Sequence, residues 1–161
     1  MAEISRNETV RMLDAVPLFT GLTKRQLTAV AKLVDHVSFG TGSVLVKEMD
    51  VGRRLIIISE GTAAVMLGGA VARDEQDTGS EKVVARRIAT VGPGDVVGEL
   101  SILDGSPTSA SVVAETPVEA LVLYRTRFNH LLNSMPQLYP RLIVGLVGRI
   151  RDIDRRAAVV G

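Results

Sequence analysis

Few residues in this chain have the types and spacing that chemistry needs, and most of them fall in one stretch. His36 and His130 are the only two histidines. They lie far apart and neither sits in an H-x-H or H-x-x-x-H pair, so both read as ordinary packing or surface residues and no metal site is expected. The absence of cysteine excludes disulfides, thiolate zinc, iron–sulfur clusters and thiol catalysis, and it is compatible with a reducing cytosol. No G-x-S-x-G elbow or other nucleophilic constellation occurs, so an enzyme is not expected and no catalytic residue is assigned. The exception is residues 97–114, VGELSILDGSPTSASVVA. Gly98 permits a close backbone approach, and Glu99 places a carboxylate at the start of a short helical turn. Leu100, Ile102 and Leu103 give that turn an apolar underside, with Ser101 between them. After Asp104-Gly105-Ser106-Pro107, the small residues Ser109-Ala110-Ser111 bring free N–H groups into the next strand. An open helical N-terminus beside small residues can nest an anion, and a neighbouring carboxylate can accept hydrogen bonds from a sugar hydroxyl. Many strand–turn–strand links look similar, so on residue chemistry alone a plain connection stays open beside a binding site.

The elements that must hold this stretch follow from length, composition and periodicity. A chain of 161 residues with 46% apolar and 23% charged residues has globular composition and reads as one domain, residues 1–161. With 19 basic and 18 acidic side chains the net charge is +1, which gives no general pull toward nucleic acid or membrane. Tryptophan is absent, and Phe19, Phe39, Tyr124, Phe128 and Tyr139 do not form a base-stacking platform. The first residues carry no apolar stretch of signal-peptide type. Residues 138–150 are too short, and with Pro140, Arg141 and Arg149 too interrupted, to span a bilayer. A soluble cytoplasmic protein is expected.

Periodicity predicts helix, then strands, then helix. A short helix is expected over residues 8–16, ended by Pro17. A second is expected over 23–37, with Thr23 as N-cap and Gln26 completing a capping box. Strands are expected at 43–47, 55–59 and 62–67. Residues 68–82 read as an exposed hairpin loop, and strands resume at 83–91, 109–114 and 118–124. Helix returns at 126–135 with Thr126 as N-cap, and a last helix covers about 137–156. Its stripe of Leu138, Leu142, Leu146, Ile150 and Ile153 needs a partner surface. The boundaries are therefore helices over about 8–36, a β-barrel over about 37–125 and C-terminal helices over about 126–156. The fold class is mainly β, a small antiparallel barrel or jelly roll with flanking helices.

The segment GELSILDGSPTSASVVA resembles the phosphate-binding cassette of cyclic nucleotide-binding domains, as in catabolite activator proteins and protein kinase A regulatory subunits. The resemblance extends over nearly the whole chain. PLFTGLTKRQLTAVAKLV is similar to the family's entry helices, FGTGSVLVKEMDVGRRLIIISEGTAAV to its first strands, and VGPGDVVGEL to the turn leading into the cassette. It implies a non-enzymatic sensor module for a cyclic nucleotide, cAMP by default or cGMP. The ligand-binding residues it implies are Gly98, Glu99, Leu100, Ser101, Thr108, Ser109 and Ala110. Glu99 would bind the ribose 2′-hydroxyl, the N–H groups of Ser109 and Ala110 the phosphate, and Thr108 would act as a weak hydroxyl substitute. In the family's mechanism, ligand draws the turn at 99–103 inward and the last helix repositions.

Two positions depart from the family pattern. Thr108 stands where the family has the arginine that pairs with the cyclic phosphate, and Met49 stands where it often has glycine. Another arginine, from Arg53, Arg54, Arg86 or Arg87, could replace the missing one, or the ligand could differ. The rival reading is a degenerate domain that serves as a dimerisation or protein-docking scaffold. Either way the last helix is expected to support a homodimer, with a further protein partner possible. The chain stops after that helix without a helix-turn-helix, so direct DNA binding is not expected. No membrane contact is expected either.

Overall fold

The computed structural model describes residues 4–16, 19, 21–73, 81–98, 105, 107–141, 143, 144 and 147, with the backbone alone at 69–73 and 81–85. Two compact units are present, one made of the described parts of residues 1–33 and 126–161 and the other of residues 34–125.

In the first unit, helix α1 spans Arg6–Asp14 and helix α2 spans Lys24–Ala31. Both open with a reciprocal capping box. The Ser5 hydroxyl accepts from Glu8 N–H at 3.3 Å, and Ser5 N–H donates to Glu8 Oε2 at 3.0 Å. The same two groups, Ser5 N–H first and its hydroxyl second, hold the Glu8 carboxyl below the ordinary glutamate range. This cap starts α1 two residues before the expected position. In α2 the expected box is present, with Gln26 N–H to Thr23 Oγ1 at 3.2 Å and Thr23 N–H to Gln26 Oε1 at 2.9 Å. The expected extent of α2 needs correcting. It stops at Ala31, and Asp35–Phe39 forms strand β1 instead. Val37 and Phe39 pack against the sheet core with period 2, and full pairing with a later strand outweighs continuation of the helix. Helix α3 spans Arg125–Ser134 and buries Phe128, Leu131 and Leu132. It begins one residue before Thr126, which therefore lies inside the helix and not at its cap. Helical backbone is also present at 138–141, 143, 144 and 147. Of the predicted stripe only Leu138 lies within the described residues, where it is buried.

The second unit is two four-stranded antiparallel sheets. Beside β1, the strands are β2 Val44–Val46, β3 Arg54–Glu60, β4 Ala63–Arg73, β5 Glu81–Val91, β6 Val96–Val97, β7 Ser111–Ala114 and β8 Val118–Tyr124. Their orders are β1-β8-β3-β6 and β2-β7-β4-β5. Side chains from both sheets, including Leu45, Ile56, Ile58, Val97, Val112, Ala120 and Val122, form one core between them, a jelly-roll-like arrangement. The hairpin loop expected at 68–82 is shorter than predicted. Strand pairing skips Gly68 and Gly69 at a register shift, where Gly68 N–H donates to Glu48 Oε2 instead, and resumes from Ala70↔Val84 out to Arg73↔Glu81. Strand β6 was not anticipated, since Val96-Val97 follows a Gly-Pro-Gly-Asp turn and is only two residues long.

Gly61 sets the β3–β4 corner. Its φ is +87°, and a Cβ there would strike the Pro117 carbonyl oxygen in the β7–β8 turn. Gly61→Ala therefore combines left-handed strain of about 1–2 kcal/mol with backbone overpacking of about 1–3 kcal/mol. The expected outcome is a fall in unfolding free energy of roughly 2–5 kcal/mol, from the sum of those two terms, in urea denaturation followed by circular dichroism.

Candidate functional site

The stretch singled out in the sequence begins where β6 ends. Val97 pairs with Ile56, and Gly98 follows with φ +88°. A Cβ on Gly98 would stand 2.6 Å from the Arg54 carbonyl oxygen, so the chain passes directly against the start of β3. Glu99, Leu100 and Ser101 lie outside the described residues. The chain is described again at Gly105 and from Pro107 onward.

From Pro107 the backbone is fastened to the turn at residues 47–51. Val51 and Pro107 form an isolated antiparallel bridge. Thr108 N–H donates to the Asp50 carbonyl at 2.9 Å, and Met49 N–H donates to the Thr108 carbonyl at 2.8 Å. The Thr108 side chain completes the clamp: its hydroxyl donates to the Lys47 carbonyl and accepts from Asp50 N–H at 3.1 Å. Two further bonds continue the tie, Glu48 N–H to Ser111 Oγ at 2.9 Å and Gly68 N–H to Glu48 Oε2 at 2.8 Å. Thr108 is only 6% exposed, and its donor and an acceptor site are both engaged inside the turn. Met49 adopts φ +63°, the left-handed conformation that explains a preference for glycine there. Its side chain, 74% exposed, stands clear of the clamp.

Beyond the clamp, Ser109 and Ala110 form a bend before β7, the first exposed and the second half-buried. Among the described residues neither of their N–H groups makes a hydrogen bond. Two adjacent unbonded amides in a bend are the elements of an anion nest. The structure thus brings Gly98 to one side of the β3 terminus and Ser109–Ala110 to the entry of β7, while the hydroxyl of Thr108 is turned into the protein.

The four arginines that could replace the missing cation are separated by their surroundings. Arg53 and Arg86 are exposed. Arg87 is exposed too, and it is occupied by an ion pair with Glu115 and a 2.7 Å hydrogen bond to Thr90 Oγ1. Arg54 is half-buried and donates from Nη2 to the Leu45 carbonyl at 3.0 Å. The sequence reading missed the clamp. Thr108 was legible as the lack of an arginine and as a weak hydroxyl substitute toward the phosphate, and the partners of its hydroxyl lie about sixty residues earlier in the chain. The one available signal was Met49, whose family alternative of glycine marks a turn that something must hold. Among the described residues no group of three metal-ligating side chains converges, and no helix is long and apolar enough to cross a membrane.

The family model for the cyclic nucleotide-binding domain matches residues 36–135, which takes in both sheets, the cassette and α3. The chain belongs to this family. It is 28% identical over 141 residues to the cyclic AMP receptor protein of Thermus thermophilus, covering 86% of this chain and 59% of the relative. Among solved structures it resembles the regulatory subunit of a cAMP-independent protein kinase A from Trypanosoma brucei, with 26% identity and a TM-score of 0.68 over 85% of this chain and 46% of that one. That structure is a triple mutant bound to cAMP in the A site, and one of its substitutions exchanges threonine for arginine. The corresponding subunit from Trypanosoma cruzi, bound to guanosine, matches with 26% identity and a TM-score of 0.68 over 84% of this chain and 45% of that one. The chain spans less than two thirds of each of these relatives.

The clamp makes a specific prediction. Thr108→Val removes the hydroxyl's bonds to the Lys47 carbonyl and Asp50 N–H, which keep only their 3.3 Å bond to each other, and each lost bond contributes about 0.5–1.5 kcal/mol. Urea denaturation is expected to show a loss of roughly 2 kcal/mol, the middle of the range for two such bonds together. Thr108→Ser, which keeps the hydroxyl, is expected to retain most of the stability.

Proposed function

We propose that this chain is a non-enzymatic, cytoplasmic regulatory module that binds a cyclic nucleotide, cAMP first, in the family's cassette. The observation that supports this reading is that, among the described residues, the N–H groups of Ser109 and Ala110 make no hydrogen bond, in the stretch that resembles the family's phosphate-binding cassette. Gly98 brings the preceding segment against β3, and in this scheme Glu99 takes the ribose 2′-hydroxyl, with Leu100 and Ser101 as further ligand-binding residues. The role of Thr108 in this scheme is to fasten the nest through its buried hydroxyl, in place of the weak phosphate contact that its position alone implies.

Affinity follows from the missing charge. A charge-assisted hydrogen bond to phosphate contributes about 1.5–3 kcal/mol, and at about 1.4 kcal/mol per decade its loss weakens binding roughly ten- to a hundredfold. A second reading has its own support. An uncharged nucleoside would not need the arginine, and a relative carries guanosine. The cAMP complex of the other trypanosome relative includes a threonine-to-arginine exchange, the same difference in residue type that separates Thr108 from the family pattern.

Isothermal titration with cAMP, cGMP, adenosine and guanosine to millimolar concentration tests the scheme. Saturable binding of at least one of them, abolished in Glu99→Ala, is the expected result. Absence of heat and of thermal stabilisation with all four ligands would reject a sensor and leave the scaffold reading.

Signalling through the last helix is part of the same proposal. Ile143, Val144 and Val147 are 59%, 71% and 41% exposed on helical backbone, an apolar face that supports a homodimer and, in a signalling assembly, a further protein partner. Sedimentation equilibrium is expected to give twice the 17.2 kDa chain mass. Ile143→Asp is expected to shift it to monomer, and a monomeric parent protein would remove the dimer from the scheme.

A further inference from the structure

Arg54 has an unusual place for a charged side chain. On β3 it is in phase with Ile56 and Ile58, which face the core between the sheets, and in register with Tyr124 on β8. It is half-buried, yet its guanidinium makes one hydrogen bond, to the Leu45 carbonyl, and no ion pair among the described residues. A partly desolvated guanidinium with no carboxylate among the described residues is an unfavourable arrangement unless an anion visits it. The hydrogen bond to Leu45 fixes where that charge sits. Leu45 lies on β2, whose Val44 and Val46 pair with Val113 and Val112 on β7, two and three residues beyond Ala110, whose amide, like that of Ser109, makes no bond among the described residues. The carbonyl of Arg54 meanwhile abuts Gly98 at the other end of the cassette. One residue therefore touches the start of the cassette with its backbone and β2, alongside the cassette's exit strand, with its side chain.

We propose that Arg54 is the cation of this site, meeting the anionic phosphate of the ligand from the β3 side while Ser109 and Ala110 N–H meet it from the cassette. This assignment rests on the nucleotide-sensor reading and completes it: the charge absent at Thr108 is supplied from another strand. The ligand class it selects is a nucleotide with an anionic phosphate over an uncharged nucleoside. A guanidinium has four N–H donors left after the bond to Leu45, enough for a bidentate contact with two phosphate oxygens.

The test is titration calorimetry of the parent chain, Arg54→Met, Arg54→Lys and Arg125→Met with cAMP and with adenosine. Arg125 is the comparison because it too is half-buried and lies beside the cassette, with Nη2 3.7 Å from a Cβ placed on Gly105. The parent is expected to bind cAMP more tightly than adenosine. Arg54→Met is expected to weaken cAMP roughly ten- to a hundredfold and leave adenosine unchanged, as loss of one charge-assisted contact predicts. Arg54→Lys is expected to recover part of the loss, and Arg125→Met to leave both ligands as in the parent. Equal loss of both ligands in Arg54→Met would make Arg54 a strut between β3 and β2 and overturn the assignment. A cAMP-specific loss in Arg125→Met alone would overturn it in favour of the other arginine. Parent protein that binds adenosine as well as cAMP overturns the assignment and leaves the sensor reading standing. Parent protein that binds neither, nor cGMP or guanosine, overturns both. Circular dichroism melts of each variant separate a folding defect from a loss of contact.

Discussion

The fastening of residues 107–111 to the turn at 47–51 is the constraint on which the rest of the candidate site depends. The Val51–Pro107 bridge, the backbone and hydroxyl bonds of Thr108 and the Glu48–Ser111 contact tie Pro107, Thr108 and Ser111 to residues 47–51. Individually such bonds contribute about 1 kcal/mol net, but they share one geometry and fix it together. The amides of Ser109 and Ala110 are left outside this network because the residues before them are fully committed to it. A nest made of backbone N–H groups works only if the peptide planes keep their orientation, so the same bonds that bury Thr108 preorganise the groups next to it. The left-handed Met49 fits the same logic. Its strain, of order 1–2 kcal/mol for a residue with a side chain, is sustained by the bond from Met49 N–H to the Thr108 carbonyl.

The sequence disclosed the fold largely because strand signals here are local. β8 spans Val118–Tyr124, as alternation and flanking turns predicted, and β3 differs from its prediction by one residue at each end. The failures share a cause. Residues 35–39 carry Val37 and Phe39 at strand spacing, but Val34 also continues the 3.6-residue pattern of Leu27 and Val30, and only the register with β8 decides between them. The Gly68 region looked like loop because glycine is a poor strand former, while Glu48 Oε2, from a distant turn, accepts the Gly68 N–H and compensates for the irregularity in β4.

At the site, the motif was legible and the wiring was not. Gly98, Ser109 and Ala110 could be singled out because their small size and spacing are sequence properties. That Thr108 is a clamp could not be read, because its partners Lys47 and Asp50 become neighbours only when β2 and β7 pair. Arg54 was legible as one of four arginines, and what distinguishes it is phase. Counting back by two from Ile58 through Ile56 places it on the core-facing side, whereas Arg53 precedes the strand and is exposed.

These observations separate two jobs that a single cassette arginine would otherwise combine, orienting the loop and supplying charge. Orientation is met here by a hydroxyl that is nine-tenths buried and bonded on both sides, a position from which it has no donor left to offer a ligand. Charge does not have to come from the same residue, since a phosphate is large enough to be approached from a strand as well as from the loop. What must be shared is the place where the two meet, and the bond from Arg54 to the Leu45 carbonyl ties the guanidinium to the strand that borders the cassette exit. A cation held by one hydrogen bond in a half-buried setting keeps most of its donors unspent, whereas the fully paired Arg87 at the surface has little to give. The replacement of arginine by Thr108 therefore changes which residue can carry the charge without dismantling the backbone that receives the anion.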